Sequence, residues 1–108
     1  MPHFVVSGVT LESPILHPPQ IFAVGLNYAD HVAESGMETP KFPMIFNTQY
    51  TSARGPFASS HRPAYSTALD YEGELVVVIG KSCHRVPRDR AHEVVAGWTV
   101  CNDVWVRD

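Results

Sequence analysis

Two cysteines, Cys83 and Cys101, are all that the chain contains, too few for a disulfide framework. A reducing cytoplasm is the expected setting. Basic runs are missing as well. Eight Lys+Arg stand against eleven Asp+Glu, for a net charge of −3, which leaves no electrostatic footprint for nucleic acid or an anionic membrane surface. Neither partner is expected. The longest apolar stretches, Ile21 to Leu26 and Leu75 to Ile79, fall far below the roughly 18 residues needed to cross a bilayer. Met1-Pro2-His3-Phe4 lacks the basic-then-apolar pattern of a secretory signal. There is no internal repeat and no low-complexity tract.

What is present is apolar enough to fold. Of the 108 residues, 44% are hydrophobic and only 18% charged, a balance that excludes disorder as the main state and allows one domain at most. A chain this small hides only about two thirds of its unfolded surface on folding. A half-built sheet would therefore need a partner, and self-association is expected.

Proline and glycine punctuate the chain. Residues 1–20 read as a short lead-in, with Ser13-Pro14 and Pro18-Pro19 bracketing an edge strand at Ile15-Leu16. Ile21-Phe22-Ala23-Val24-Gly25 is a glycine-stopped strand. The spacing predicts a helix over 28–35, with Asn27 as its cap, Asp30 three residues on, and Gly36 closing it. From Glu38 to Tyr65, breakers enclose one β-like piece, Met44-Ile45-Phe46. A loop of that length suits a lid or a substrate wall. Leu75 to Ile79 is the strongest strand signal, expected to be central and covered on both faces. Pro87 through Ala96 reads as a helix with proline in its first turn, and Trp98 to Cys101 as another strand leading to Asn102-Asp103.

In Asp70-Tyr71-Glu72-Gly73-Glu74-Leu75 the two glutamates are two apart at the start of a strand, so Glu72 and Glu74 share a face. Two carboxylates about 5 Å apart repel by roughly 3 kcal/mol at an effective dielectric near 20. A divalent ion removes the conflict, and oxygen donors with no nearby cysteine favour Mg²⁺, Mn²⁺ or Ca²⁺ over zinc. The plain alternative is an exposed acidic strand end. Asp103, at the end of the next predicted strand, is a natural third ligand, or half of an Asn-Asp turn. His31 and Glu34, three apart on the short helix, share a face. The carboxylate can hold the imidazole in one tautomer as a general base, or the two can form an ordinary surface pair. His3, His17, His61, His84 and His92 show no metal-site spacing and read as surface residues.

Six blocks in order carry a resemblance: Gly25-Leu26-Asn27-Tyr28-Ala29-Asp30-His31, Glu34-Ser35-Gly36, Leu69 through Leu75, Val78-Ile79-Gly80, Ala96-Gly97-Trp98, and Asn102-Asp103 with Arg107-Asp108. Together they resemble the fumarylacetoacetate hydrolase family of divalent-metal enzymes. The resemblance implies an α+β, mostly β fold, a mixed β-roll or β-sandwich. Residues 21–108 would be the N-terminal half of a catalytic domain about twice as long. It implies Mg²⁺ or Mn²⁺ held by Glu72, Glu74 and Asp103, a His31-Glu34 pair that positions and deprotonates water, and Arg107 near the substrate. The expected partners are a small 2-oxo or β-diketo acid and a second copy of the chain in a homodimer. The expected reaction is hydrolysis of a carbon–carbon bond in an acylpyruvate-type substrate. Decarboxylation, isomerisation, or metal or subunit binding without catalysis are the alternatives. Two positions depart from the family pattern: Thr48 stands where a lysine is usual, and Trp105 replaces a small residue between Asp103 and Arg107.

Overall fold

The computed structural model describes residues 3–108 and divides into two compact units, Met1–Ser59 and Ser60–Asp108. In the first unit, β1 (Ile21–Gly25) pairs antiparallel with β2 (Met44–Thr48), in a register running from Ile21↔Thr48 to Gly25↔Met44. Helix α1 (Ala29–Ser35) lies between them in sequence. Its end is the expected one: Gly36 takes φ +65° and donates its N–H to the Ala33 carbonyl, the left-handed closure that glycine adopts without strain. Its start differs. The backbone stays extended through Tyr28 (φ −110°, ψ 129°), so the cap falls on Tyr28 with no side-chain cap bond, one residue beyond the position Asn27 could serve.

The lead-in forms no strand at Ile15-Leu16. Ser13 Oγ donates to the Ile15 carbonyl across 3.0 Å, a local bond that bends the chain and competes with strand pairing. A 3₁₀ turn at Val6–Gly8 is its only regular piece among the described residues. Further along, a Cβ on Gly55 would stand 2.1 Å from the Leu11 carbonyl oxygen, so only glycine fits where the long loop folds over the lead-in.

In the second unit, β3 (Leu69–Asp70) pairs with β6 (Trp105–Val106), and β4 (Gly73–Ile79) pairs with β5 (Val95–Asn102), both antiparallel. The expected central strand therefore has one neighbour. The only other strands of this unit are two residues long and pair with each other. The expected helix at Pro87–Ala96 is a 3₁₀ helix over Arg88–Val94 with Pro87 as its cap. Val95 and Ala96 join β5 instead, as a β-branched residue favours. The β4/β5 ladder slips between Val78 and Ile79.

That ladder has two unlike faces. Glu74, Val76 and Val78 of β4 are half-buried, while Leu75, Val77 and Ile79 point outward with Trp98 and Val100 of β5. Val100 is 77% exposed. Among the described residues only Val32 and Ser66 are buried, so the apolar content forms faces rather than an enclosed core. No described helix is long and apolar enough to cross a membrane.

Candidate functional site

The β4/β5 register assembles the acidic face. Glu74 stands opposite Cys101 and Gly73 opposite Asn102. The Asp103 N–H donates to the Glu72 carbonyl at 2.8 Å, which carries the ladder one step further and sets Glu72 opposite Asp103. Directly opposed residues of an antiparallel pair share a face, and so do residues two apart on one strand. Glu72, Glu74, Asp103 and Cys101 therefore lie on one side of the hairpin. The Glu72 N–H donates to Asn102 Oδ1 at 3.1 Å, so both backbone polar groups of Glu72 are tied across the ladder.

Cys101 corrects the reading that no cysteine lies near the glutamates. It sits two residues before Asp103, which strand alternation alone places on the same face. Partial burial pushes its thiol pKa up, and the Asp103 and Glu74 charges push it further. A sulfur donor is soft and poorly matched to a hard divalent cation, so the suitable donors of this face are its carboxylate oxygens. Their chemistry and backbone placement fit a hard divalent cation. Their side chains do not converge: among the described residues, no three His, Cys, Asp or Glu side chains gather closely enough to hold a metal ion.

Glu72 is turned toward Arg107, whose Nη2 donates to Glu72 Oε1. The same guanidinium donates from Nε to Asp70 Oδ2 at 3.0 Å. Asp70 Oδ1 in turn accepts the Tyr71 N–H at 2.9 Å. That backbone bond and the Arg107 contact hold the Asp70 carboxyl below the usual carboxylate range. Asp70 and Asn102 are functional candidates that inspection of the sequence missed. Asp70 shares the two-residue period of Glu72 and Glu74, which was the available signal; Asn102 gave none. Just before β3, Ser66 is fully buried. Its Oγ donates to Asp108 Oδ1 at 2.5 Å and accepts the Ala68 N–H at 3.1 Å, fixing the end of the Arg107-Asp108 pair.

His31 and Glu34 lie on α1 in the first unit, His31 half-buried and Glu34 exposed. No hydrogen bond or ion pair joins them. The turn leading into this helix is strained, with Leu26 at φ +53°, a conformation a bulky side chain rarely takes and one that concentrates at functional sites. Gly25, Leu26 and Asn27 line a hollow of about 250 Å³ whose other wall is Thr39 to Pro43 of the long loop. Only this short stretch of the long loop lines the hollow. Thr48 is half-buried on β2 opposite Ile21. Trp105 stands opposite Asp70 and is 43% exposed.

The family model described as fumarylacetoacetate (FAA) hydrolase C-terminal matches residues 20–108. A mitochondrial oxaloacetate tautomerase, Fahd2a, of Rattus norvegicus is 41% identical over 102 residues, which is 94% of this chain and 33% of that protein. The crystal structure of a 5-carboxymethyl-2-hydroxymuconate delta-isomerase from Mycobacterium smegmatis superposes with a TM-score of 0.80 at 42% identity, covering 95% of this chain and 41% of that one. A fumarylacetoacetate hydrolase from Exiguobacterium antarcticum gives 0.75 at 37%, covering 90% and 35%. The chain thus spans roughly a third to two fifths of the length of these relatives, and its small sheets follow their fold.

Proposed function

Because the chain belongs to the fumarylacetoacetate hydrolase family, we propose that it forms part of a divalent-metal enzyme acting on a small 2-oxo acid, by hydrolysis of a carbon–carbon bond in an acylpyruvate-type substrate. The observation that carries this reading is the register that puts Glu72, Glu74 and Asp103 on one face. Three carboxylates there would hold Mg²⁺ or Mn²⁺. Bound, such an ion supplies a Lewis acid that stabilises the enolate charge left when the bond breaks.

The remaining work falls to the chain's own residues. His31 would accept the proton of the attacking water; Glu34, three residues on along α1 but not bonded to it here, would hold the imidazole in the accepting tautomer only on turning to meet it. Arg107 neutralises the substrate carboxylate through a planar fork that matches it. The outward apolar face of β4 and β5 supports association with a second copy, since monomers rarely leave such a face open.

A second reading is supported by the names of two relatives, an oxaloacetate tautomerase and a delta-isomerase. In it, His31 takes a proton from carbon instead of water and no bond between carbons breaks. Calorimetry with Mn²⁺ tests the shared premise: Glu74→Gln should weaken binding at least about tenfold. Equal affinity in the variant and the parent refutes the metal assignment. Oxaloacetate and an acylpyruvate, each assayed with Mn²⁺, then separate the two reactions, and binding without turnover of either would mark a non-catalytic domain.

A further inference from the structure

One carboxylate of the acidic face has two claimants. The backbone of Glu72 is fixed on both sides by Asn102 and Asp103, so only its side chain is free to choose, and it turns to Arg107. Arg107 is itself held in place. Its N–H donates to the Ala68 carbonyl at 2.9 Å, continuing the β3/β6 pairing, and Asp70 fixes its Nε end. Asp70 thus aims the second arm of the fork at Glu72. A guanidinium there supplies to Glu72 the positive charge that a divalent ion would otherwise bring, and while it does so the three carboxylates do not gather.

We propose that Arg107, anchored by Asp70, is a resident counter-cation that competes with the divalent metal for Glu72. The proposal rests on the metal reading above. Its consequence is an exchange: loading the metal takes Glu72 from Arg107 and leaves the Nη2 arm, still anchored through Nε, free for an incoming carboxylate. Metal and anionic substrate would then favour each other's binding, as linkage requires. Asp70 is a positioning residue in this scheme, acting only through Arg107.

The contact is half-exposed, with side-chain accessibilities of 45% for Arg107 and 24% for Glu72, so its removal should have a modest effect. Arg107→Gln should tighten Mn²⁺ binding about two- to fivefold in calorimetry. Arg107→Lys, which keeps the charge and the stem but not the fork, should fall between that variant and the parent. It serves as the deciding variant if Arg107→Gln does not fold. Arg90→Gln removes the same charge from the distant Arg90–Glu93 pair and should match the parent. Unchanged or weaker binding in the Arg107 variants overturns the competition, as does equal tightening in Arg90→Gln, which would show only a change of net charge. Absence of Mn²⁺ binding in the parent and every variant overturns the metal reading, and the competition with it.

Discussion

Placing a single methyl group at the end of β4 should open the strand pair that carries the acidic face. Gly80 follows β4 and donates its N–H to the Val94 carbonyl at 2.9 Å, just where the ladder slips out of register. A Cβ built on it would stand 2.6 Å from the Ala96 Cβ and 3.4 Å from the Ala96 Cα. Apolar carbons rest at about 3.5–4.0 Å, so Gly80→Ala forces an overlap of roughly 1 Å. The obstacle is a short methyl on a paired strand, with no flexible tip to swing away. Overpacking of this kind costs about 1–3 kcal/mol. In a chain of this size that lowers the melting temperature by about 4–20 °C. Moving the methyl instead of adding it supplies the control: Gly80→Ala combined with Ala96→Gly removes the overlap and should recover most of the loss, a coupling that only contacting residues show. Thermal melts followed by circular dichroism read both variants. A Gly80→Ala midpoint within error of the parent, or a double variant no better than the single, would refute the β4/β5 register and with it the shared face of Glu72, Glu74 and Asp103.

Two more expectations follow from the same structure. In any version of the domain that turns over, His31→Ala should lower the rate by about 10² while leaving Mn²⁺ affinity unchanged; parallel loss of both would place His31 among the metal ligands, and no loss would return it to the surface. The Arg90–Glu93 pair, joined by bonds of 2.9 and 2.8 Å, holds the Glu93 carboxyl below its ordinary range through the Arg90 hydrogen bond. A lowered folded-state pKa adds stability above the unfolded value, and that stability is lost as pH falls through the folded one. Urea midpoints of Glu93→Gln should therefore trail the parent slightly at pH 7 and converge with it only once pH has fallen through the lowered Glu93 range; a gap that persists at still lower pH, or widens, would count against the pair.

Much of the strand content was legible because alternation and β-branching are local. Ile21–Gly25 has the bounds its composition implies, and the runs 44–46 and 98–101 lie inside longer strands. Helix starts were read less well. Asn27 has the right side chain for a cap, but the strained turn at Leu26 and the extended Tyr28 move the start beyond it, and backbone strain leaves no mark on composition. The reading of Pro87–Ala96 as one helix failed for a related reason. Pairing of Val95 with Ile79 across the hairpin is a long-range contact that outweighs local propensity. At the acidic face the two-residue spacing of Glu72 and Glu74 was visible directly. That Asp103 falls opposite Glu72 required the register, and the hold of Arg107 on Glu72 required the β3/β6 pairing that brings residues 37 and 35 positions apart into contact.

The alternation along β4 and β5 also governs which inherited length changes this protein can absorb. Inserting or deleting one residue between Glu74 and Ile79 would turn every side chain beyond it to the other side of the sheet, exchanging valines for the outward Leu75, Val77 and Ile79 or setting Glu74 among them. A two-residue change would preserve the sidedness but slide Glu74 off Cys101, its partner across the ladder. The connection from Lys81 to Pro87 carries no strand and is under no such parity rule. Among descendants of one ancestral gene, gaps should accumulate in that connection, while the two paired strands should keep their lengths even where their residues drift.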